Sequence, residues 1–181
     1  NKPALCFDCT PTYTSVPEDM ARHIYTDMPD TRFLLVLRDP VARLWSQAQM
    51  HERHGWKLGS DVGTLEAFAR FAGERSVQRL SFLAERVEMW RRIDRDGRLK
   101  ILFFDDLVTD PAAYLADICA FLGVAPDGFT LPADHNRKAA QGGKRPMPPD
   151  YEIFAARLLR EEYAHLARLL GGHAARWHER N

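Results

Sequence analysis

The sequence predicts an α/β fold with a mainly parallel sheet flanked by helices. Three observations carry this. Arg32 to Leu37 and Leu99 to Phe104 are nearly continuous apolar runs of strand length, the pattern of strands covered on both faces. The stretches between and after them repeat apolar residues every three or four positions, as helices with one buried face do. Strands that alternate with helices require crossover connections, which make neighbouring strands parallel.

Taken in order, a first strand is expected over Ala4 to Phe7. After the strand Arg32 to Leu37, a helix begins at Asp39-Pro40 and runs to about His54. Asp39 suits its cap, Pro40 its first position and Gly55 its end. A second helix, from Ser76 to about Asp96, places Val77, Leu80, Leu83, Val87 and Trp90 on one face before Gly97 breaks it. The strand Leu99 to Phe104 follows. A third helix opens at Asp110-Pro111, carries Tyr114, Leu115, Ile118, Phe121 and Leu122 on one face, and stops at Gly123. A last helix is expected from about Asp150 to Leu170, before Gly171-Gly172. Between Ala125 and Pro149 lies a segment rich in Pro, Gly and charge, with little periodicity. A long irregular stretch of this kind in a compact domain is usually functional or disordered.

With 181 residues the chain is the size of one domain. Hydrophobic residues make up 45% and charged residues 28%, which excludes a disordered polyelectrolyte. Twenty-five Lys and Arg balance 25 Asp and Glu. A zero net charge argues against a broad basic face for nucleic acid, and leaves a local anion site open. The longest apolar runs fall far short of a membrane span, and the first residues do not read as a signal peptide. The cysteines Cys6, Cys9 and Cys119 are too few and odd for a disulfide scaffold. Cys6 and Cys9 form a C-x-x-C, but on an extended segment such residues face opposite sides, and no second cysteine pair completes a zinc site. His51 and His54 share a helix face without an evident third ligand, the pattern of two surface residues rather than of a metal site.

Two segments carry candidate chemistry. In LLVLRDPVARLWS, Arg38 ends an apolar strand, where ligands of open parallel sheets bind. Arg43 and Ser46 are three apart on the following helix. An Arg fork and a Ser hydroxyl converging on one oxyanion make a phosphate site. The plain alternative is that Arg38 pairs with Asp39 and Ser46 is an ordinary helix hydroxyl. In HNRKAAQGGKRP, Arg137, Lys138, Lys144 and Arg145 have no acidic residue between them, and Gly142-Gly143 can bring main-chain N–H groups close to an anion. Taken alone, that loop reads as a solvated one.

These residues resemble those of sulfotransferases that use 3′-phosphoadenosine-5′-phosphosulfate, PAPS, especially the heparan sulfate 3-O-sulfotransferase-like branch and its bacterial relatives. LLVLRDPVARLWS is similar to the family's segment for the nucleotide 3′-phosphate. DCTPTY resembles its (D/E)-K-T/S-P-x-Y motif, which is followed by a Pro, a short helix and a strand. ILFFDDLVTDPAAYLADICAFLGV resembles its strand, acidic turn and helix ending in F-L-G. HNRK, GGKRP and LLGGHAARWH resemble its C-terminal quarter.

The resemblance implies a P-loop-like three-layer fold and transfer of a sulfuryl group from PAPS to a hydroxyl or amine of an acceptor, a glycan or small alcohol among the candidates. It implies no metal and a bacterial cytoplasmic setting, and the zero net charge speaks against a nucleic-acid partner. Arg38 and Ser46 would grip the 3′-phosphate, and the loop Gly142, Gly143, Lys144 and Arg145 would close over the nucleotide. Asn136 and Lys138 stand where the family has an Asn and a Lys, and His135 opens that loop. Asp8, Cys9 and Thr10 lie near the expected reacting centre, with Cys9 where the family has lysine. Tyr13, Arg53, His54 and Trp56 are candidates for the acceptor side. The family's phosphosulfate-binding turn and usual Glu or His base have no counterpart in residues 1–181, so these residues are expected to be one sulfotransferase domain without its N-terminal strand–P-loop–helix. Rival readings are a P-loop nucleotide kinase-like phosphotransferase and a catalytically weak nucleotide-binding homologue.

Overall fold

A computed structural model describes residues 6–54, 62–125 and 145–181. A 3-10 turn, Pro11–Ser15, leads into α1, Glu18–Asp27. Strand β1, Phe33–Leu37, is followed by α2, Pro40–His54, α3, Leu65–Gly73, α4, Arg75–Ser81, and α5, Ala84–Ile93. Strand β2, Leu99–Phe103, leads into α6, Phe104–Thr109, and α7, Pro111–Leu122. The chain closes with α8, Pro149–Leu158, α9, Arg160–Leu170, and α10, Gly172–Arg180.

Among the described residues the sheet has two strands. β1 and β2 pair in parallel, from Phe33 opposite Leu99 to Leu37 opposite Phe103. The crossover between them is helical, as alternating strands and helices require. Leu35 and Leu37 enter the main core with Val41, Leu44, Phe68, Val77, Tyr163 and Trp177. A smaller core joins Ala21 and Tyr25 of α1 to Met89, Trp90 and Ile93 of α5. On the other face, Lys100 of β2 pairs with Asp117 of α7 at 2.8 Å, whereas Val36 of β1 is 48% exposed. Along β1, therefore, burial alternates instead of covering both faces.

Several elements depart from the periodicity. Cys6 and Phe7 are not in a strand, and Ala4 lies outside the described residues. The expected helix from Ser76 to Asp96 is two helices, broken at Phe82 and Leu83. The cause is a distant carboxylate. Glu162, 6% exposed on α9, accepts from Leu83 N at 2.6 Å and Ala84 N at 2.8 Å, and so starts α5 afresh. α3 is an addition to the expected helices, although Leu65, Phe68, Phe71 and Ala72 do repeat every three or four positions; Thr64 caps it by accepting from Ala67 N at 3.2 Å. The acidic turn after β2 is the short helix α6. The last expected helix divides at Leu159 into α8 and α9. Gly171, at φ 60°, then turns the chain back into α10, which packs along α9. By contrast α7 follows its signals: Asp110 accepts from Ala113 N, Pro111 is at the first turn, and Gly123 is left-handed at φ 72°. No described helix is long and apolar enough to cross a membrane.

Candidate active site

β1 delivers Arg38 at its carboxyl end, and Asp39 caps the helix that follows. Asp39 Oδ1 accepts from Ala42 N at 3.0 Å and from the Tyr163 hydroxyl at 2.9 Å. Its Oδ2 accepts from Arg180 at 3.4 Å. The carboxylate beside Arg38 is thus occupied by three other donors. The Arg38 guanidinium lies over the Phe104 ring, 5.0 Å from its centroid. Among the described residues Arg38 forms no ion pair. Burial lowers its pKa, opposed by the nearby charges of Asp39 and Asp105.

A second guanidinium deepens the positive field. Arg43, one turn into α2, is half-buried and also lacks a carboxylate partner among the described residues. Its Nη2 donates to Gln47 Oε1 at 2.8 Å and to Ser81 Oγ at 2.7 Å, while its buried Nε has no partner. Burial, and then repulsion from Arg38, push its pKa down to about 10. Spacing put Arg43 and Ser46 on one face; the structure turns the Arg43 head to α4 and Gln47 instead. Ser46 stays half-buried on α2, about two turns beyond the cap.

Arg145, the end of the basic loop, is docked on the same helix. Its carbonyl accepts from Trp45 Nε1 at 2.8 Å and Gln49 Nε2 at 3.1 Å, and its N–H donates to Gln49 Oε1 at 3.1 Å. Its guanidinium pairs with Glu52 and lies 5.9 Å from the Trp45 ring centroid. The structure therefore joins Arg145 to the helix that carries Ser46, a hundred residues away in sequence. His135, Asn136, Arg137, Lys138, Gly142, Gly143 and Lys144 lie outside the described residues, as do Gly55 and Trp56.

The DCTPTY segment forms a separate knot. Asp8 accepts from Tyr13 at 2.6 Å and from Thr10 Oγ1 at 2.9 Å. The Tyr13 bond is the main reason that the Asp8 pKa falls and the Tyr13 pKa rises. Cys6 and Cys9 are free and exposed, and Cys119 is buried. Among the described residues no hydrogen bond or ion pair joins Asp8, Thr10 or Tyr13 to Arg38 or Ser46. Arg53 is exposed, and its Nε turns back to the Gln49 carbonyl at 3.3 Å. His54 is exposed at the end of α2. His51 is not on the surface but packs edge-on against Phe71, with centroids 5.1 Å apart.

Spacing missed a cluster at the carboxyl end of β2. Asp106 Oδ1 lies 2.6 Å from His173 Nε2, and His173 Nδ1 lies 2.7 Å from Arg176 Nη2. Since Arg only donates, Nδ1 accepts and Nε2 carries the proton toward Asp106. Trp177, 1% exposed, donates from Nε1 to Asp105 Oδ1 at 3.1 Å. A cavity of about 250 Å³ is lined by Asp105, Arg176, Trp177, Glu179 and Arg180. The acidic pair after β2 and the paired Gly before α10 were its signals, but their meeting required the tertiary fold.

The chain is similar to a crystallised sulfotransferase from Alicyclobacillus acidocaldarius, with 23% identity and a TM-score of 0.66. The likeness covers 92% of this chain, which spans 64% of the length of the other. At that identity it shows the fold: α/β, with a small parallel sheet flanked by helices. No curated protein matches the sequence. Residues 4–127, which include β1, the Arg38 turn, β2 and α7, match the model of the sulfotransferase family. A match over most of the chain, including the strand and turn that carry Arg38, places it there: the chain belongs to the sulfotransferase family.

Proposed function

We propose that residues 1–181 are part of a single sulfotransferase domain, without its N-terminal strand–P-loop–helix, that uses PAPS as donor and a hydroxyl or amine as acceptor. The observation that supports this reading best is that Arg38 has no ion pair among the described residues. The carboxylate beside it is held by Ala42, Tyr163 and Arg180, so its guanidinium can take an anion without first breaking an ion pair to Asp39. The donor set suits a 3′-phosphate: a planar fork at Arg38, a hydroxyl at Ser46, and Arg145 held on the same helix. Arg43, close enough to feel the charge of Arg38, adds positive field without needing to touch the ligand. Gly142, Gly143 and Lys144 belong to the same proposed grip through their place in the sequence. On the acceptor side we propose Tyr13, Arg53, His54 and Trp56, with Asp8, Cys9 and Thr10 near the reacting centre.

PAPS, when bound, supplies a sulfuryl group whose bond to the bridging oxygen breaks as the acceptor atom attacks. The residues named here hold the nucleotide's far phosphate and fix its orientation, so that most of their effect is positioning. Titration calorimetry with 3′-phosphoadenosine-5′-phosphate tests the reading. Binding that ATP displaces only weakly is expected; absence of heat at high ligand concentration, or equal competition by ATP, overturns it.

A further inference from the structure

We propose that Tyr163 and Arg180 are positioning residues that keep Asp39 off Arg38; the proposal rests on the nucleotide-binding reading above. Arg38 and Asp39 are sequence neighbours at the end of one strand. A carboxylate free to turn there would pair with the guanidinium, because opposite charges attract strongly where water is scarce. Any anionic ligand would then have to displace it.

The fold prevents this with groups from the far end of the chain. Tyr163, 1% exposed on α9, donates its O–H to Asp39 Oδ1 at 2.9 Å. The same oxygen of Tyr163 accepts from Val41 N at 3.2 Å, which fixes the hydroxyl hydrogen toward Asp39. Burial and the charge of Asp39 push the Tyr163 pKa up, so the hydroxyl remains a donor throughout the neutral range. Arg180, the last residue of α10, takes Oδ2 at 3.4 Å. Ala42 N completes the set at Oδ1. A buried tyrosine could satisfy its hydroxyl on many acceptors. This one is spent on the carboxylate next to an arginine that has no ion-pair partner among the described residues. Position, not contact with the ligand, is the role assigned.

The test uses Tyr163→Phe, which keeps the ring in the core and removes the donor. Asp39, released on one side, should compete for Arg38 and weaken binding of 3′-phosphoadenosine-5′-phosphate about five- to tenfold. Adding Asp39→Asn in the same chain should restore affinity to within about twofold, since Asn still caps a helix but carries no charge to pair with Arg38. A loss that Asp39→Asn does not rescue, or no loss at all, overturns the proposal. A second readout does not depend on nucleotide. The Arg38 Nε–Hε resonance, assigned with Arg38→Lys, should shift in Tyr163→Phe and return in the double variant. An unmoved resonance overturns the clamp even if the unmodified protein binds no nucleotide, the result that would overturn the nucleotide reading itself.

Discussion

Arg38→Ala should separate ligand binding from folding. In the ligand-free protein the Arg38 head has an aromatic ring beneath it at 5.0 Å and no ion pair among the described residues. Losing the ring contact costs about 0.5–1 kcal/mol. Part of this is offset, because Arg38 repels Arg43, whose pKa it helps to depress. The net change in unfolding free energy should stay below about 1 kcal/mol. Binding is a different matter. A charge-assisted contact to phosphate is worth about 1.5–3 kcal/mol, so affinity for 3′-phosphoadenosine-5′-phosphate should fall about ten- to a hundredfold. Arg38→Lys should recover only part of this, since it keeps the charge without the fork. Calorimetric titration gives the affinity, and urea unfolding without nucleotide gives the stability. Unchanged affinity would refute the placement of Arg38 at the phosphate. A stability loss above about 2 kcal/mol would refute the claim that its charge is unspent in the free protein.

Two further outcomes follow from the same contacts. Burial holds the Glu162 carboxyl above its ordinary 4.5, against the two N–H groups that it accepts. A raised folded-state pKa means that its stabilising contribution is whole below pH 4.5 and is lost as pH rises through the folded value. Glu162→Gln keeps an acceptor for Leu83 and Ala84 and removes the titration, so unfolding free energy should decline less with pH across that range; an unaltered slope in urea unfolding at several pH values would contradict this. Arg145→Ala should leave stability within about 1 kcal/mol, since its pair with Glu52 is exposed, yet weaken nucleotide binding about fivefold or more. Equal affinity of the variant and the unmodified protein would remove Arg145 from the site.

The β1–α2 unit was legible because every signal in it is local. Five apolar residues make the strand, and Asp39 and Pro40 mark the helix start within two positions of its observed bound. α7 was legible for the same reason, between Asp110 and Gly123. The break before α5 was not, because the group that causes it, Glu162, is 78 and 79 residues distant. α10 is short, with only Ala174 and Trp177 buried, and it follows the Gly171-Gly172 pair that reads as a stop rather than a turn into another helix. In the site, residue types at Arg38 and Ser46 could be read from spacing. Whether Arg38 was spent on Asp39 could not, because the answer lies with Tyr163 and Arg180. His51 differs from its surface reading for a related reason: the ring that covers it, Phe71, belongs to α3, and the packing of α3 on α2 is a tertiary contact.

The docking of Arg145 has a consequence for how such a site changes over time. Gln49 reads both main-chain polar groups of residue 145, and Trp45 reads the carbonyl again. None of these bonds depends on which side chain stands there. Mutation at 145 can therefore alter the local charge while the chain keeps its alignment on α2. Mutation at 49 does the reverse, sparing the charge and loosening the alignment to the one bond from Trp45. Heredity can thus tune the strength of the grip and its register through separate codons.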